Sequence, residues 1–383
     1  MGSADWAQLR TSLLDLVLET LVSPADYLHF GCVCKSWNHA AKANKKQRAL
    51  VSTFCPPLLL ISTGKNGTWR LCDAMNNKVF DLQLKLSNKR FCGSSKGWLI
   101  AVDQSQTITL TNPLLRHKGR RMKDNSIIRL PPLTPRDEHE LLMHPSICNY
   151  GVYKATISAD PILFAEDCIV LVIYEDLLQL AFIRLKDTKW TYVDRRWKML
   201  EDVVCFQDNF YLDNRRTLLS FHLTRRSYTK VSVIAKPKKP EDPCFKTYLV
   251  NSNEEKLLMV QRFIWDFEDG TRDTTEFKVF ELDYAKCKWI AMDTLRDTAL
   301  FLGDNSSVCV LASKFPGCQA NCIYYNHDAD RMSFDVGPYG PHDFGVYNVI
   351  TGQEISKPYT KDVMAFLKNS RKPPIWIVPT LQL

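Results

Sequence analysis

Apolar and polar positions in the first 50 residues follow a helical period. Ser23 and Pro24 interrupt this pattern, because serine favours the N-cap and proline the first position of a helix. A second helix is expected around Tyr27 and a third around Trp37. Three short helices make a small all-α unit that is marginal without a partner or a docked neighbour. The apolar side chains that share one face of the first helix are Leu13, Leu14, Val17, Leu18, Leu21 and Val22.

From about residue 52 the pattern becomes strand-like. Cys55-Pro56-Pro57 ends the helical period, and β-rich runs bounded by turn residues continue to the end of the chain. Strands and long helices do not alternate, which disfavours a parallel α/β sheet. The clearest runs are 58–62, 98–102, 107–110, 169–174, 203–206, 257–260 and 308–312.

A loose repeat runs through this strand-rich region. Phe182 is followed after a polar turn by Trp190, and Phe280 in the same way by Trp289. Similar strand–turn–strand units recur about every 50 residues, a period typical of propeller blades. We therefore expect an all-β propeller of about six irregular blades, with a β-sandwich or two barrels as alternatives. The six units are 69–82, 110–130, 182–190, 218–231, 280–289 and 346–355.

Charge adds a second hypothesis about function. The 383 residues include 50 Lys and Arg against 42 Asp and Glu, a net charge of +8. Two segments without acidic residues carry the excess: 116–123 holds five Lys and Arg, and 214–240 holds eight. These basic loops could bind nucleic acid or another acidic partner. Without them, 37 basic residues remain against 42 acidic ones, which makes nucleic-acid binding the second choice.

Other features argue against several classes of protein. Asp15 and Glu19 interrupt the first apolar stretch, so no secretory signal or membrane span is expected. Thirteen scattered cysteines predict mostly buried free thiols in a reduced compartment. His139 and His144 are five residues apart, which is unsuitable for a zinc-protease helix. We predict no catalytic residues, no metal site and no cofactor.

The N-terminal unit, residues 5–48, resembles the F-box family. That family usually places Leu-Pro before its first helix, whereas Leu9 is followed here by Arg10. This difference weakens the expected start of the helix. The stretches that carry the resemblance are Trp6-Ala7-Gln8-Leu9, Leu13-Leu14-Asp15-Leu16-Val17-Leu18, Asp26-Tyr27-Leu28-His29-Phe30 and Cys32-Val33-Cys34-Lys35-Ser36-Trp37.

Residues 52–383 are similar to the plant F-box-associated domain of the KIB type. The strongest segment is Thr298-Ala299-Leu300-Phe301-Leu302-Gly303, followed by Asn321-Cys322-Ile323-Tyr324-Tyr325. Further matching stretches are Lys96-Gly97-Trp98-Leu99, Thr111-Asn112-Pro113, Leu130-Pro131-Pro132-Leu133, Phe280-Glu281-Leu282-Asp283, Lys288-Trp289, Gly345-Val346-Tyr347 and Pro374-Ile375-Trp376.

Together the two resemblances imply a non-catalytic substrate-recognition subunit of an SCF-type ubiquitin ligase. They also imply a plant source and a nuclear or cytosolic location. In that family the F-box binds a Skp-type adaptor attached to cullin, and the C-terminal domain recruits a target protein. The residues expected to contact the adaptor, or else to form the internal core of the unit, are Leu9, Leu14, Val17, Leu18, Leu21, Val33, Cys34 and Trp37.

Target binding is expected on loops at one rim of the propeller, where such folds usually bind their partners. Two loops combine aromatic residues with turn chemistry: Trp265-Asp266-Phe267 and Tyr339-Gly340-Pro341-His342. We predict target contacts for Trp265, Phe267, Tyr339 and His342. The alternative is that these are ordinary exposed or locally packed loop residues. The sequence does not identify the target.

Overall fold

The structure is a computed structural model of the chain. Its description covers most of the helical unit and most of the strand-rich region. The described residues are 6–21, 24–44, 47, 56–63, 68–76, 78–85, 89–113, 126–134, 151–174, 178–194, 196–214, 217–223, 231–235, 246–252, 256–268, 270–328, 341–355, 359–370 and 372–379.

The N-terminal unit contains the three expected helices. They are α1 (Thr11–Thr20), α2 (Pro24–Cys32) and α3 (Lys35–Ala43), preceded by a 3-10 turn at Trp6–Gln8. Pro24 is the first residue of α2, where its missing N–H costs no helical hydrogen bond. Among the residues that the structure describes, the hydrophobic core of this helical module consists of Leu14, Leu18, Tyr27, Phe30, Ala40 and Ala41.

The strands that follow form six sheets. Blade 1 contains β1 (Leu58–Ser62), β2 (Thr68–Asp73) and β3 (Lys78–Lys85). Blade 2 contains β4 (Lys89–Ser95), β5 (Trp98–Asp103), β6 (Thr107–Thr111) and β7 (Ile127–Pro132). Blade 3 contains β8 (Val152–Ile157), β9 (Ile169–Tyr174), β10 (Gln179–Arg184) and β11 (Thr191–Tyr192). Blade 4 contains β12 (Asp202–Phe206), β13 (Asn209–Asp213), β14 (Leu218–His222) and β15 (Ser232–Ala235). Blade 5 contains β16 (Lys246–Asn251), β17 (Leu257–Asp266), β18 (Arg272–Asp283) and β19 (Lys288–Met292). Blade 6 contains β20 (Thr298–Gly303), β21 (Ser306–Leu311), β22 (Cys322–Tyr325), β23 (Gly345–Asn348) and β24 (Gln353–Glu354). The last strand, β25 (Ile375–Ile377), belongs to blade 1.

The six sheets close into a ring. The innermost strands β25, β4, β8, β12, β16 and β21 contact one another in that order, and β21 also contacts β25. The C-terminal strand β25 pairs antiparallel with β1 and so completes blade 1, whose other strands come from the start of the domain. The two ends of the domain are thereby joined by backbone hydrogen bonds. The expected six-bladed propeller is confirmed.

Apolar side chains pack between each pair of neighbouring blades rather than in one central core. Six hydrophobic clusters of described residues each combine side chains from two adjacent blades. Trp376 on β25, for example, packs edge-on against Phe301 of blade 6, with ring centroids 4.9 Å apart. This arrangement explains why many strands are buried along their whole length, since both faces of a blade contact a neighbour.

Each of the six sequence repeats corresponds to the outer hairpin of one blade. The unit 69–82 lies within β2 and β3, and 280–289 lies within β18 and β19. Blade 6 is irregular, because its inner strand β21 follows β20 in the chain and β20 pairs in parallel with β22. A fourth helix, α4 (Lys361–Lys368), was not predicted and packs Val363 and Leu367 between blades 6 and 1.

The ten described cysteines are free thiols, and five of them are buried. Among the described helices, none is long and apolar enough to cross a membrane. Within the same part of the chain, no group of three or more His, Cys, Asp or Glu side chains is arranged to hold a metal ion.

Candidate protein-docking surfaces

The helical module exposes large apolar side chains on its outside. Three of them come from α1 and one from the 3-10 turn, and one directly follows α2. Leu16 is 59% exposed and Val33 is 54% exposed. A group of this size on a small module is typical of a protein-binding surface. We call the group of Trp6, Leu13, Leu16, Val17 and Val33 the helical surface.

Helix α1 is apolar on both sides, which explains how it supplies a core and a surface together. Leu14 and Leu18 are one turn apart and point into the module, where each is almost fully buried. Leu13, Leu16 and Val17 lie on the opposite part of the helix and remain exposed. The broad apolar face of the sequence is therefore divided between the inside and the outside.

Trp37 connects the third helix to the start of the chain. Its indole N–H donates to the carbonyl oxygen of Trp6 at 2.9 Å, and its ring lies 4.5 Å from that of Phe30. Ser36 donates a second hydrogen bond to the carbonyl of Ala7. These contacts fix the 3-10 turn against α3, and they hold Trp6 at the edge of the helical surface.

The residues predicted to contact the adaptor fall into three groups by exposure. Val17 and Val33 are exposed, whereas Leu14 and Leu18 belong to the module's own core. Leu9, Leu21, Cys34 and Trp37 are half-buried. Adaptor contacts for all eight remain predictions. The prediction of adaptor contacts from helical spacing did not include the exposed residues Trp6, Leu13 and Leu16, although their aromatic or branched apolar character was a visible signal.

Arg10 occupies the N-cap of α1, where the F-box family usually has proline. Its φ of −63° is the value that a proline ring imposes. Its side chain is exposed and makes no capping hydrogen bond. The difference from the family pattern therefore leaves the backbone in the conformation that proline would give.

The second surface lies at the β17–β18 hairpin of blade 5. Trp265 and Asp266 were expected in a loop, but they form the end of β17 and pair with Asp273 and Arg272 of β18. Only Phe267 belongs to the turn, where its N–H donates to the carbonyl of Thr271. Trp265 is 63% exposed and Phe267 is 43% exposed. We call Trp265, Phe267 and Asp273 the rim surface.

The structure brings His342 beside this hairpin. The backbone N–H of Arg272 donates to Nε2 of His342 at 3.1 Å. The ring of His342 in turn lies 4.7 Å from that of His327. Three of the four residues predicted for target binding thus lie near one another, although Phe267 and His342 are 75 positions apart in the chain. Tyr339 lies outside the described residues. Target binding by all four stays a prediction.

A buried polar network holds the hairpin and its neighbours together, with Arg262 of β17 at its centre. Arg262 is fully buried, and each of its five N–H groups has a partner. Its guanidinium donates to Asp343 Oδ2 at 2.9 Å and lies 3.5 Å from Asp328. The remaining partners are the hydroxyls of Tyr248 and Thr274 and the carbonyl oxygens of Asn326 and Asp343.

Asp328 is the main anion of this network. Lys246 lies 3.2 Å from it and also pairs with Asp304. Burial raises the pKa of Asp328, but Lys246 and Arg262 outweigh burial and hold this pKa at about 2. Burial likewise lowers the pKa of Lys246, but Asp304 and Asp328 raise it well above its ordinary value. Both groups are therefore charged at neutral pH.

His327, in contrast, is neutral. Burial is the largest cause that lowers its pKa to about 2, and the positive charges of Arg272 and Arg262 act in the same direction. Its Nδ1 accepts the backbone N–H of Asp343 at 3.2 Å. The network thus fixes 326–328 and 341–344, the two segments that flank 329–340, against blade 5.

The central channel contains a cavity of about 210 Å³. Lys154 of β8 forms an ion pair there with Asp202 of β12. The other carboxylate oxygen of Asp202 accepts the backbone N–H of Leu249 on β16 at 2.8 Å. This pair therefore joins the inner strands of three consecutive blades, which gives it a structural role.

The basic segment 116–123 lies outside the described residues, as do all eight Lys and Arg residues of 214–240. The described part of the second segment consists mainly of strands β14 and β15. Nucleic-acid binding by these loops therefore remains a prediction.

A six-bladed propeller preceded by a helical module with an exposed apolar surface defines a class of protein–protein interaction subunit. The family comparison agrees with the propeller fold. The model of the KIB1-4 β-propeller family matches residues 70–348, and the chain belongs to that family.

Several relatives in Arabidopsis thaliana are named F-box proteins. The chain is 24% identical to the F-box protein SKIP23, and the match covers 97% of this chain and 95% of that protein. A second relative, the F-box protein At2g17036, is 26% identical over 89% of this chain and 88% of its own length. The match to SKIP23 therefore extends beyond the propeller model on both sides.

The similarity to solved structures is weaker. TolB from Acinetobacter baumannii is 8% identical, with a TM-score of 0.40, and the match covers 90% of this chain and 73% of TolB. Apo AztD from Citrobacter koseri is 10% identical, with a TM-score of 0.32, over 84% of this chain and 98% of AztD. Similarities at this level carry no argument about function.

Proposed function

We propose that this protein is a non-catalytic substrate-recognition subunit of an SCF-type ubiquitin ligase. Residues 5–48 act as an F-box that binds a Skp-type adaptor and, through it, cullin. Residues 52–383 recruit a target protein for ubiquitination and degradation. The proposal includes a location in the nucleus or cytoplasm, where such a ligase would meet its targets.

The observation that carries this proposal is the helical surface. Among the described residues of the module, five large apolar side chains are exposed and six residues form the hydrophobic core. Burying an exposed leucine or valine side chain contributes roughly 1.5–3 kcal/mol, so a complementary groove would stabilise both partners. The names of the relatives support an adaptor of the Skp type as the partner.

In this proposal the chain binds the adaptor and the target and catalyses no step itself. An adaptor bound at one end and a target at the other would raise the concentration of the target near the conjugating enzyme. The rigid propeller suits this role, because its target surface would keep a fixed geometry relative to its own blades.

The direct test is co-purification of the full chain with a recombinant Skp-type adaptor. Leu16→Ser removes an exposed apolar side chain from the helical surface, and we expect at least tenfold weaker adaptor binding. Ile350→Ser is the matched control, because Ile350 is 62% exposed on blade 6. We expect that this control binds the adaptor as the wild type does.

Two results would contradict the proposal. One is a folded wild-type chain that fails to retain the adaptor. The other is unchanged affinity in Leu16→Ser together with unchanged affinity in Val33→Ser. Circular dichroism of each variant separates loss of binding from loss of helical structure.

A further inference from the structure

We propose that the rim surface binds a lysine- or arginine-rich extended segment of the target protein. This inference rests on the proposed function, since it names the chemistry of the partner that the propeller recruits. A cationic side chain of the target would lie over the ring of Trp265 and pair with the carboxylate of Asp273.

The geometry of the hairpin puts these two groups side by side. Trp265 and Asp273 are directly opposite each other in the antiparallel β17–β18 ladder. Side chains at opposite positions of such a ladder lie on the same face, with Cβ atoms about 5 Å apart. Phe267 is two residues beyond Trp265, at the start of the turn, and its ring is exposed as well.

The exposed carboxylates of the hairpin give it a negative charge, with Asp273 on the same face as Trp265 and Asp266 on the other face. Asp266, Glu268 and Asp273 are exposed, and within the described residues none of them has an ion-pair partner. The nearby cation Arg272 does not neutralise them, because its side chain is directed to Asp328 and Asp343 of the buried network. Exposed aromatic rings flanked by free carboxylates attract cationic side chains and repel phosphates, which favours a basic peptide over nucleic acid here.

The hairpin is also held in position before any partner binds. Thr274 donates from its backbone N–H and its hydroxyl to Asp343 Oδ1, at 3.0 and 2.8 Å. Arg262 donates to Oδ2 of the same Asp343, and His342 accepts the backbone N–H of Arg272. Little ordering of the hairpin is therefore required on binding, which lowers the entropic cost of the complex.

Peptide binding to the full chain tests the inference. The probe is a fluorescent dodecapeptide of alternating arginine and serine, and its counterpart carries glutamate in place of arginine. Fluorescence anisotropy at low and high salt gives the affinities. We expect tighter binding of the arginine peptide, weakened by salt, and a five- to tenfold loss in Trp265→Ala and in Asp273→Asn.

Matched controls distinguish the rim surface from general attraction to acidic residues. Asp362 is an exposed carboxylate on α4, and Asp362→Asn removes the same charge elsewhere. We expect that this variant retains wild-type affinity. Equal binding of the two peptides, no binding of the arginine peptide, or equal losses in Asp273→Asn and Asp362→Asn would overturn the inference.

Adaptor co-purification of the same proteins keeps this inference separate from the proposed function. A chain that binds the arginine peptide at the rim but not the adaptor would refute the ligase role alone. A chain that binds the adaptor but shows any of the three contrary peptide results would refute the basic-segment inference alone.

Discussion

The helical module and the propeller use their apolar residues in opposite ways. The propeller buries most of its large side chains between blades, and of the nine that are exposed among its described residues four lie on blade 5. Among its described residues, the module exposes five large apolar side chains and buries four, within about 40 positions. The propeller is thus complete as a folded unit, whereas the module presents a surface suited to a partner.

The difference extends to electrostatics. The propeller contains buried, mutually compensated charges, such as Arg262 with Asp328 and Asp343. The described core of the module is apolar apart from the Tyr27 hydroxyl, which donates to the carbonyl oxygen of Ala41. Stability in the propeller therefore depends on closure and on paired charges, whereas the module depends mainly on apolar contact.

The largest effect is expected where the propeller closes. Trp376→Ala removes a fully buried ring from β25, and we expect the free energy of unfolding of the propeller to fall by about 3–5 kcal/mol. Chemical denaturation followed by circular dichroism in the β region measures this loss. Trp265→Ala is the control, because Trp265 is mostly exposed, and it should change stability by less than about 0.5 kcal/mol. Equal losses in the two variants would show that closure by β25 does not stabilise the ring.

The closure of the ring by β25 could not be predicted from the sequence. The outer hairpins were predictable, because each carries alternating apolar residues around a polar turn, as at 280–289. Trp376 in its short apolar run gave no sign that it would pair with β1, because pairing between distant strands leaves no local pattern. The parallel pair of β20 and β22 was invisible for the same reason.

A smaller effect is expected from His327, through pH. Its pKa is about 2 in the folded chain and about 6.5 when unfolded. Below pH 6.5 the unfolded chain binds a proton that the folded chain does not, so stability is complete above this pH and falls as pH decreases. We expect His327 to lower the free energy of unfolding by about 2 kcal/mol between pH 7 and pH 5.

Denaturation at both pH values, in the wild type and in His327→Asn, isolates this contribution. The asparagine amide oxygen can accept the backbone N–H of Asp343 as Nδ1 does, but it does not titrate. We expect a weaker pH dependence in the variant. Identical pH dependence in the two proteins would show that His327 is protonated in the folded state.

The smallest effect concerns the module. Arg10→Pro should raise the free energy of unfolding of the helices by about 0.4–1 kcal/mol, because the native φ already suits proline and the unfolded chain loses freedom. Thermal melting followed by helical circular dichroism measures the change. A lower melting temperature would show that the N–H of Arg10, or its side chain, contributes to the start of α1.

The candidate sites were predictable only in part. Aromatic residues in a turn-rich segment indicated Trp265 and Phe267, and the module's helical period indicated Val17 and Val33. Helical spacing did not separate Leu14 and Leu18, which are buried, from Leu13 and Leu16, which are exposed, because α1 is apolar on both sides. Arg262 lies inside the strand β17, and nothing in its local sequence identified the acidic partners at 328 and 343.

The central claim is that the helical surface, and not the propeller, binds the Skp-type adaptor. Hydrogen–deuterium exchange of the full chain, with and without the adaptor, tests this claim directly. We predict slower exchange in α1 and around Val33 on adaptor binding, with exchange in the blade strands unchanged. Slower exchange confined to the blades, or no change in the helices under conditions where the complex forms, would contradict it.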